Sequence, residues 1–153
     1  VLNKVGKFND KDFQLMKSHP EEGKKLLEAL PPIQSGYFNS IAIDMAYNHH
    51  EKWNGTGYPN GKKGEEIPLC ARLMAAADVL DALISQRLYK EPMKIEDAMN
   101  VFEESKGTHF EPCIAQSVIN CQEQIRIIDQ QFKDRENETN EKELAFWKEY
   151  HSM

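Results

Sequence analysis

Four side chains in this sequence have the chemistry of metal ligands: His19, His49, His50 and Asp78. Neutral imidazole together with carboxylate suits iron, manganese or zinc, and a site without many carboxylates is less suited to calcium. His49 and His50 are adjacent and are followed at once by Glu51. On a straight helix neighbours diverge by about 100°. The two imidazoles can therefore share one site only near a helix end, unless they bind different ions of a cluster. The stretch that follows, HHEKWNGTGYPNGKKGEEIP over residues 49–68, adds lysines and a turn-rich loop. Its glycines permit positive φ and a close approach of a ligand to the backbone. Pro59 fixes its own φ and pushes Tyr58 toward an extended conformation.

Each of these residues also has a plainer reading. A single histidine such as His19 is more often structural than a ligand. Asp78 sits in the apolar run AAADVLDAL, where it either faces solvent or needs a partner or a metal, because a buried unpaired charge costs several kcal/mol. Asp81, three residues on, either orients a histidine or is an ordinary exposed aspartate. Arg87, Tyr89 and Lys90 cluster where a helix should end, a place the helix dipole already favours for cations. Brought near the glycine loop, the two cations would hold phosphate well. Lys62 and Lys63 read as solvated.

The elements that must position these groups are helical. Asn9 or Asp10 can cap a first helix, closed at His19-Pro20. Pro20 suits the first turn of a second helix, with Glu21 and Glu22 at its positive end and Leu26, Leu27 and Leu30 on its apolar face. Pro31-Pro32 ends it. A helix is predicted over residues 35–50, with Phe38, Ile41 and Met45 at helical spacing. After the loop, Pro68 opens a helix whose apolar face reads Leu69, Leu73, Ala76, Leu80 and Leu83. Residues 95–105 form a short helix ended by Gly107. Pro112 opens a long one, with a stripe at Ile114, Val118, Cys121, Ile125, Ile128 and Phe132 that serves as core or as a coiled-coil dimer seam. Residues 137–140 read as a polar break before a last helix over 141–151 carrying Leu144, Trp147 and Tyr150. No segment alternates apolar and polar residues, so the fold class is all-α.

The chain has 153 residues, 40% hydrophobic and 29% charged, with net charge −6, which is the composition of a globular domain with a real core. The acidic balance and lack of a basic run disfavour a nucleic acid polymer as partner, while leaving room for a small anionic ligand. No apolar run approaches the ~20 residues of a membrane span, and no signal peptide is visible. Cys70, Cys113 and Cys121 lack metal or redox spacing and read as small buried side chains in a reducing, cytoplasmic compartment. The chain begins with Val1, and the expectation is that it is a piece of something longer.

HHEKWNGTGYPNGKKGEEIPL, followed by ARLMAAADVLDAL, SQRLYK and GTHFEP, resembles the HD-GYP family of bacterial signalling domains, and Gly57-Tyr58-Pro59 is its signature. The similarity covers roughly residues 1–121. It implies an HD-superfamily helical bundle over residues 1–135 with the GYP loop between helices, and a C-terminal helical extension over 136–153. It implies hydrolysis of cyclic di-GMP at a centre of two or three divalent ions, usually iron or manganese. It assigns His19, His49, His50 and Asp78 as metal ligands, with His50 and Asp78 also catalytic, and places Tyr58, Arg87 and Lys90 at the substrate. It implies attachment to a receiver or sensor domain and contact with diguanylate cyclase domains, while the stripe from Ile114 to Phe132, or the exposed groove, is the expected surface of a homodimer. Leu88 and Val5 stand where the family usually has proline. The family's His-Asp pair, with its following lysine, lies upstream of a stretch like VLNKVGKF. The chain by itself is therefore expected to bind metal weakly and to turn over little. The competing expectation is a catalytically inactive module that binds a partner protein or the nucleotide.

Overall fold

A computed structural model describes the backbone of residues 9–31, 36–86 and 91–151, and the side chains of these except 36–37, 136–138, 140–141 and 143–151. Among the described residues seven α-helices and no strand occur, in the order α1 (Asp10–Lys17), α2 (His19–Ala29), α3 (Gly36–Asn48), α4 (Leu69–Ile84), α5 (Ile95–Glu104), α6 (Pro112–Asn120) and α7 (Gln122–His151). The all-α reading is correct.

Local chemistry accounts for the boundaries that matter to the site. Asn9 caps α1: its side chain accepts from the Asp12 N–H while Asp12 accepts from the Asn9 N–H, a reciprocal capping box. Ser18 alone separates α1 from α2, and Pro20 sits in the first turn of α2 with Glu21 and Glu22 beside it. α2 packs on α3, and α3 packs on α4. The core lies further along the chain, where Ala76, Ile95, Ala98, Met99, Phe102, Phe110, Ile114 and Ala115 form one buried cluster. Phe102 and Phe110 stack in it with ring centroids 4.6 Å apart. Burying each such ring contributes about 1.5–3 kcal/mol.

Five expectations need correction. Leu69 and Leu73 do not face the core: they are 56% and 52% exposed, and α4 buries Ala71, Ala75 and Ala76 instead. Small side chains lie inward because α4 is sandwiched between α3 and α6, and close helix approach needs small residues at the contact. The single helix read from residue 112 onward is two helices, broken at Cys121, whose N–H donates back to Ser117 and Val118. The four-three stripe continues across that turn, which hid it. Conversely, residues 137–140 do not interrupt α7. The run is polar but lacks glycine and proline, and pairs such as Lys133–Asp129 and Thr139 donating to the Arg135 carbonyl run along the helix. The stripe itself is divided: Ile114 is buried and Val118 and Ile125 pack on the core, while Ile128 and Phe132 are exposed. Cys113 and Cys121, expected inside, are exposed, and Cys70 is half-buried.

Candidate metal centre

α3 ends at Asn48, so His49 and His50 stand just past a helix end, where adjacent imidazoles can converge. Their ring centroids are 4.1 Å apart. His19, at the start of α2, meets both: its Nε2 lies 3.1 Å from Nε2 of His49 and 3.1 Å from Nε2 of His50. The three donor atoms lie within 4.8 Å of one another.

The backbone fixes which nitrogens are free. Nδ1 of His19 lies 2.6 Å from the Met16 carbonyl, and Nδ1 of His49 lies 2.9 Å from the Ala46 carbonyl. A carbonyl only accepts, so each Nδ1 carries the proton and each Nε2 presents a lone pair. Two lone pairs therefore face each other across 3.1 Å, and only His50 has a proton to offer. Burial, followed by the neighbouring His49, His19 and His109, pulls the His50 pKa down to about 4. Converging ring nitrogens, with the second nitrogens of His19 and His49 held by backbone carbonyls, are the donor arrangement of a metal site, so the residues present fit a divalent cation.

Asp78 is not part of this three-histidine group. It is half-buried on α4, and its charge is felt at Tyr58: burial first, and the Asp78 carboxylate second, raise the phenol above its ordinary pKa. Tyr58 in turn stacks on His50, with centroids 4.8 Å apart and planes at 28°. Asp81 is exposed and accepts from the Ser85 hydroxyl, the plainer of its two readings. Arg87 and Lys90 lie outside the described residues.

The loop is shaped by its own backbone. A Cβ on Gly57 would collide with the His50 carbonyl oxygen, the Glu51 Cα and the Lys52 nitrogen. The close approach anticipated for a ligand is thus made by the chain folding back on the histidine pair, and the Tyr58 N–H donates to the His50 carbonyl. Glu51, which the sequence coupled to the metal chemistry, is 2% exposed. Its two carboxylate oxygens accept from the backbone N–H groups of Asn60 at 2.7 Å and Lys62 at 3.0 Å.

Sequence reasoning passed over a second clamp. The Trp53 and Asn54 N–H groups donate to the carbonyls of His109 and Thr108. Arg72 lies over the Trp53 ring and pairs with Glu111. The GTHFEP segment is therefore the floor of the GYP loop. His109, half-buried there, has its pKa lowered to about 4 by burial and then by Lys52. The signal was available as a histidine inside a glycine-proline turn, but nothing in its spacing linked it to residue 53.

The model of the HD domain family matches residues 1–114. The chain belongs to the HD domain family. The GYP loop and the relatives place it in the HD-GYP branch, as the motifs implied. It is 44% identical over 135 residues to a cyclic di-GMP phosphodiesterase of Vibrio cholerae, covering 88% of this chain and 27% of that protein. It is 37% identical over 132 residues to a cyclic di-GMP phosphodiesterase response regulator of Xanthomonas campestris, covering 86% of this chain and 34% of that protein. The chain thus spans about a third or less of the length of these relatives. A solved cyclic GMP-AMP specific phosphodiesterase of Vibrio cholerae superposes with a TM-score of 0.54 at 22% identity, over 78% of this chain and 27% of that one, and supports the fold. Among the described residues, no helix is long and apolar enough to cross a membrane.

Proposed function

We propose that this HD-GYP chain forms the metal-binding and substrate-loop region of a phosphodiesterase that hydrolyses cyclic di-GMP. The observation that carries the reading is the convergence of His19, His49 and His50, each offering one ring nitrogen, with those nitrogens all within 4.8 Å of one another. His19, His49 and His50 would hold divalent ions, iron or manganese by family resemblance, and Asp78 would complete the set with negative charge. When bound, such ions supply Lewis acidity toward phosphoryl oxygens and acidify water. The chain's own residues do the rest. The Met16 and Ala46 carbonyls keep the imidazole protons on Nδ1. Glu51 and Gly57 hold the loop so that Tyr58 covers His50. Arg87 and Lys90 would take substrate phosphate on the strength of the motif match alone.

The same reading makes receiver or sensor domains and diguanylate cyclase domains the partners to test. It makes the exposed Ile128 and Phe132 the first surface to mutate in testing for a homodimer. The central experiment measures metal content and cyclic di-GMP turnover of the full-length gene product, wild type against His50→Ala. A loss of more than about 100-fold in turnover with reduced metal content is expected, because removing a ligand disturbs the ions themselves. Turnover within about threefold of wild type would refute the ligand role. The assay repeated on residues 1–153 alone addresses the expectation of weak metal binding.

A further inference from the structure

Lys17 is the last residue of α1 and stands two positions before His19. Its side chain is exposed, yet its Nζ has a defined place, 5.2 Å from the centroid of the Phe13 ring and 5.4 Å from that of Tyr58. Tyr58 stacks on His50. The ammonium therefore lies one aromatic ring away from the three histidines. Cation–π contacts of this kind are worth about 0.5–1 kcal/mol each at an exposed site. They orient the group without consuming any of its three N–H donors. Among the described residues no carboxylate lies within ion-pair distance of Lys17, whereas Lys25 has two and Lys106 and Lys133 have one each. An oriented ammonium with unspent donors at the mouth of a metal-type cluster is a ready contact for phosphate.

A cyclic dinucleotide carries two phosphates. The histidine cluster accounts for the one that reacts, and the Tyr58 ring stands between that cluster and Lys17. We propose that Lys17 binds the second, non-reacting phosphate of the substrate and so selects for a two-phosphate ring over a simple diester. The proposal rests on the phosphodiesterase reading of the site.

The test compares Lys17→Gln and Lys17→Arg with wild type in the full-length gene product. Steady-state kinetics are measured on cyclic di-GMP, cyclic GMP-AMP and bis(4-nitrophenyl) phosphate, which has a single phosphate, with metal content checked in each variant. Losing one charge-assisted contact should raise KM for both cyclic dinucleotides about 10- to 100-fold with kcat changed less than about threefold. The specificity constant on bis(4-nitrophenyl) phosphate should fall at least about tenfold less, and Lys17→Arg should recover most of the loss. An equal fall on the one-phosphate substrate would overturn the proposal by putting Lys17 at the reacting centre. A loss confined to one of the two cyclic dinucleotides would overturn it in favour of a base contact, and an unaltered KM would overturn it outright. A wild-type protein inert toward all three substrates would overturn the phosphodiesterase reading and this assignment with it.

Discussion

Replacing Glu51 by glutamine is the sharpest perturbation of the loop, since it keeps shape and removes charge. Both oxygens of the buried carboxylate are spent on backbone N–H groups, Asn60 at 2.7 Å and Lys62 at 3.0 Å. Hydrogen bonds to a charged acceptor are worth about 1.5–3 kcal/mol each. The amide keeps one neutral acceptor and turns an NH2 toward the other N–H, which leaves buried donors without a partner at a further cost of about 1–3 kcal/mol. Relief from burying a charge offsets part of this. The expected net loss for Glu51→Gln is about 2–4 kcal/mol, or a fall in Tm of roughly 4–16 °C for a domain of this size. Calorimetry reads the global effect. Amide hydrogen exchange reads the local one: Asn60 and Lys62 should lose about 30-fold or more in protection, the equivalent of 2 kcal/mol. An unchanged Tm with intact protection at both amides would refute the anchoring role. A selective loss of bound metal at full stability would make Glu51 a ligand instead.

Two glycines should respond in opposite directions. Gly57→Ala drives a methyl into the backbone at His50, Glu51 and Lys52 and should cost about 2 kcal/mol or more while lifting Tyr58 off His50; a Tm within 1 °C of wild type would contradict the collision. Gly23→Ala lies inside α2, where the new Cβ meets only Ala46 Cβ at an ordinary 3.7 Å, and should stabilise by about 0.5–1 kcal/mol. His109 carries a pH prediction. Its folded pKa, about 4, lies below the ordinary histidine value of 6.5, so the unfolded chain binds the extra proton. Its contribution is complete above pH 6.5 and is lost as pH falls toward 4. Partial exposure limits this to roughly 1–2 kcal/mol. His109→Gln should flatten the acid side of the Tm–pH curve between pH 6.5 and 4.5, and parallel curves would count against it.

Much of the candidate site could be read from the sequence because two of its three histidines are neighbours. His49 and His50 are adjacent, the loop follows them directly, and the helix end that lets them converge is marked by the change from helical spacing to glycine. His19 came from the motif, since no spacing rule joins residues 19 and 49. What escaped was long-range. The pairing of residues 53–54 with 108–109 involves backbone groups, which leave no trace in side-chain type. Glu51 looked like metal chemistry because a carboxylate beside two histidines has that appearance; its burial under the loop is a tertiary fact. On α4, Leu69 and Leu73 are exposed because packing favoured Ala71, Ala75 and Ala76, while Leu80 and Leu83 of the same stripe do pack on the core. The turn at Cys121 was invisible because the apolar register ran through it, and the polar run at 137–140 suggested a break although nothing in it breaks a helix.

The core described above is one-sided, and this has a consequence for time scale. α1 and α2 contribute only Pro20 as a fully buried residue, while α4, α5 and α6 supply nearly all of the apolar cluster. Regions with few buried apolar contacts open at lower free energy than the rest of a fold. In exchange experiments α1 and α2 should behave as a separate, faster unit, with α4 to α6 opening only on global unfolding. His19 belongs to the fast unit, whereas His49 and His50 are tied to the slow one through the loop and its floor. An ion gripped by all three imidazoles would thus span two pieces with different lifetimes. Its residence time would follow the opening of α1 and α2, making these two helices the clock of such a centre.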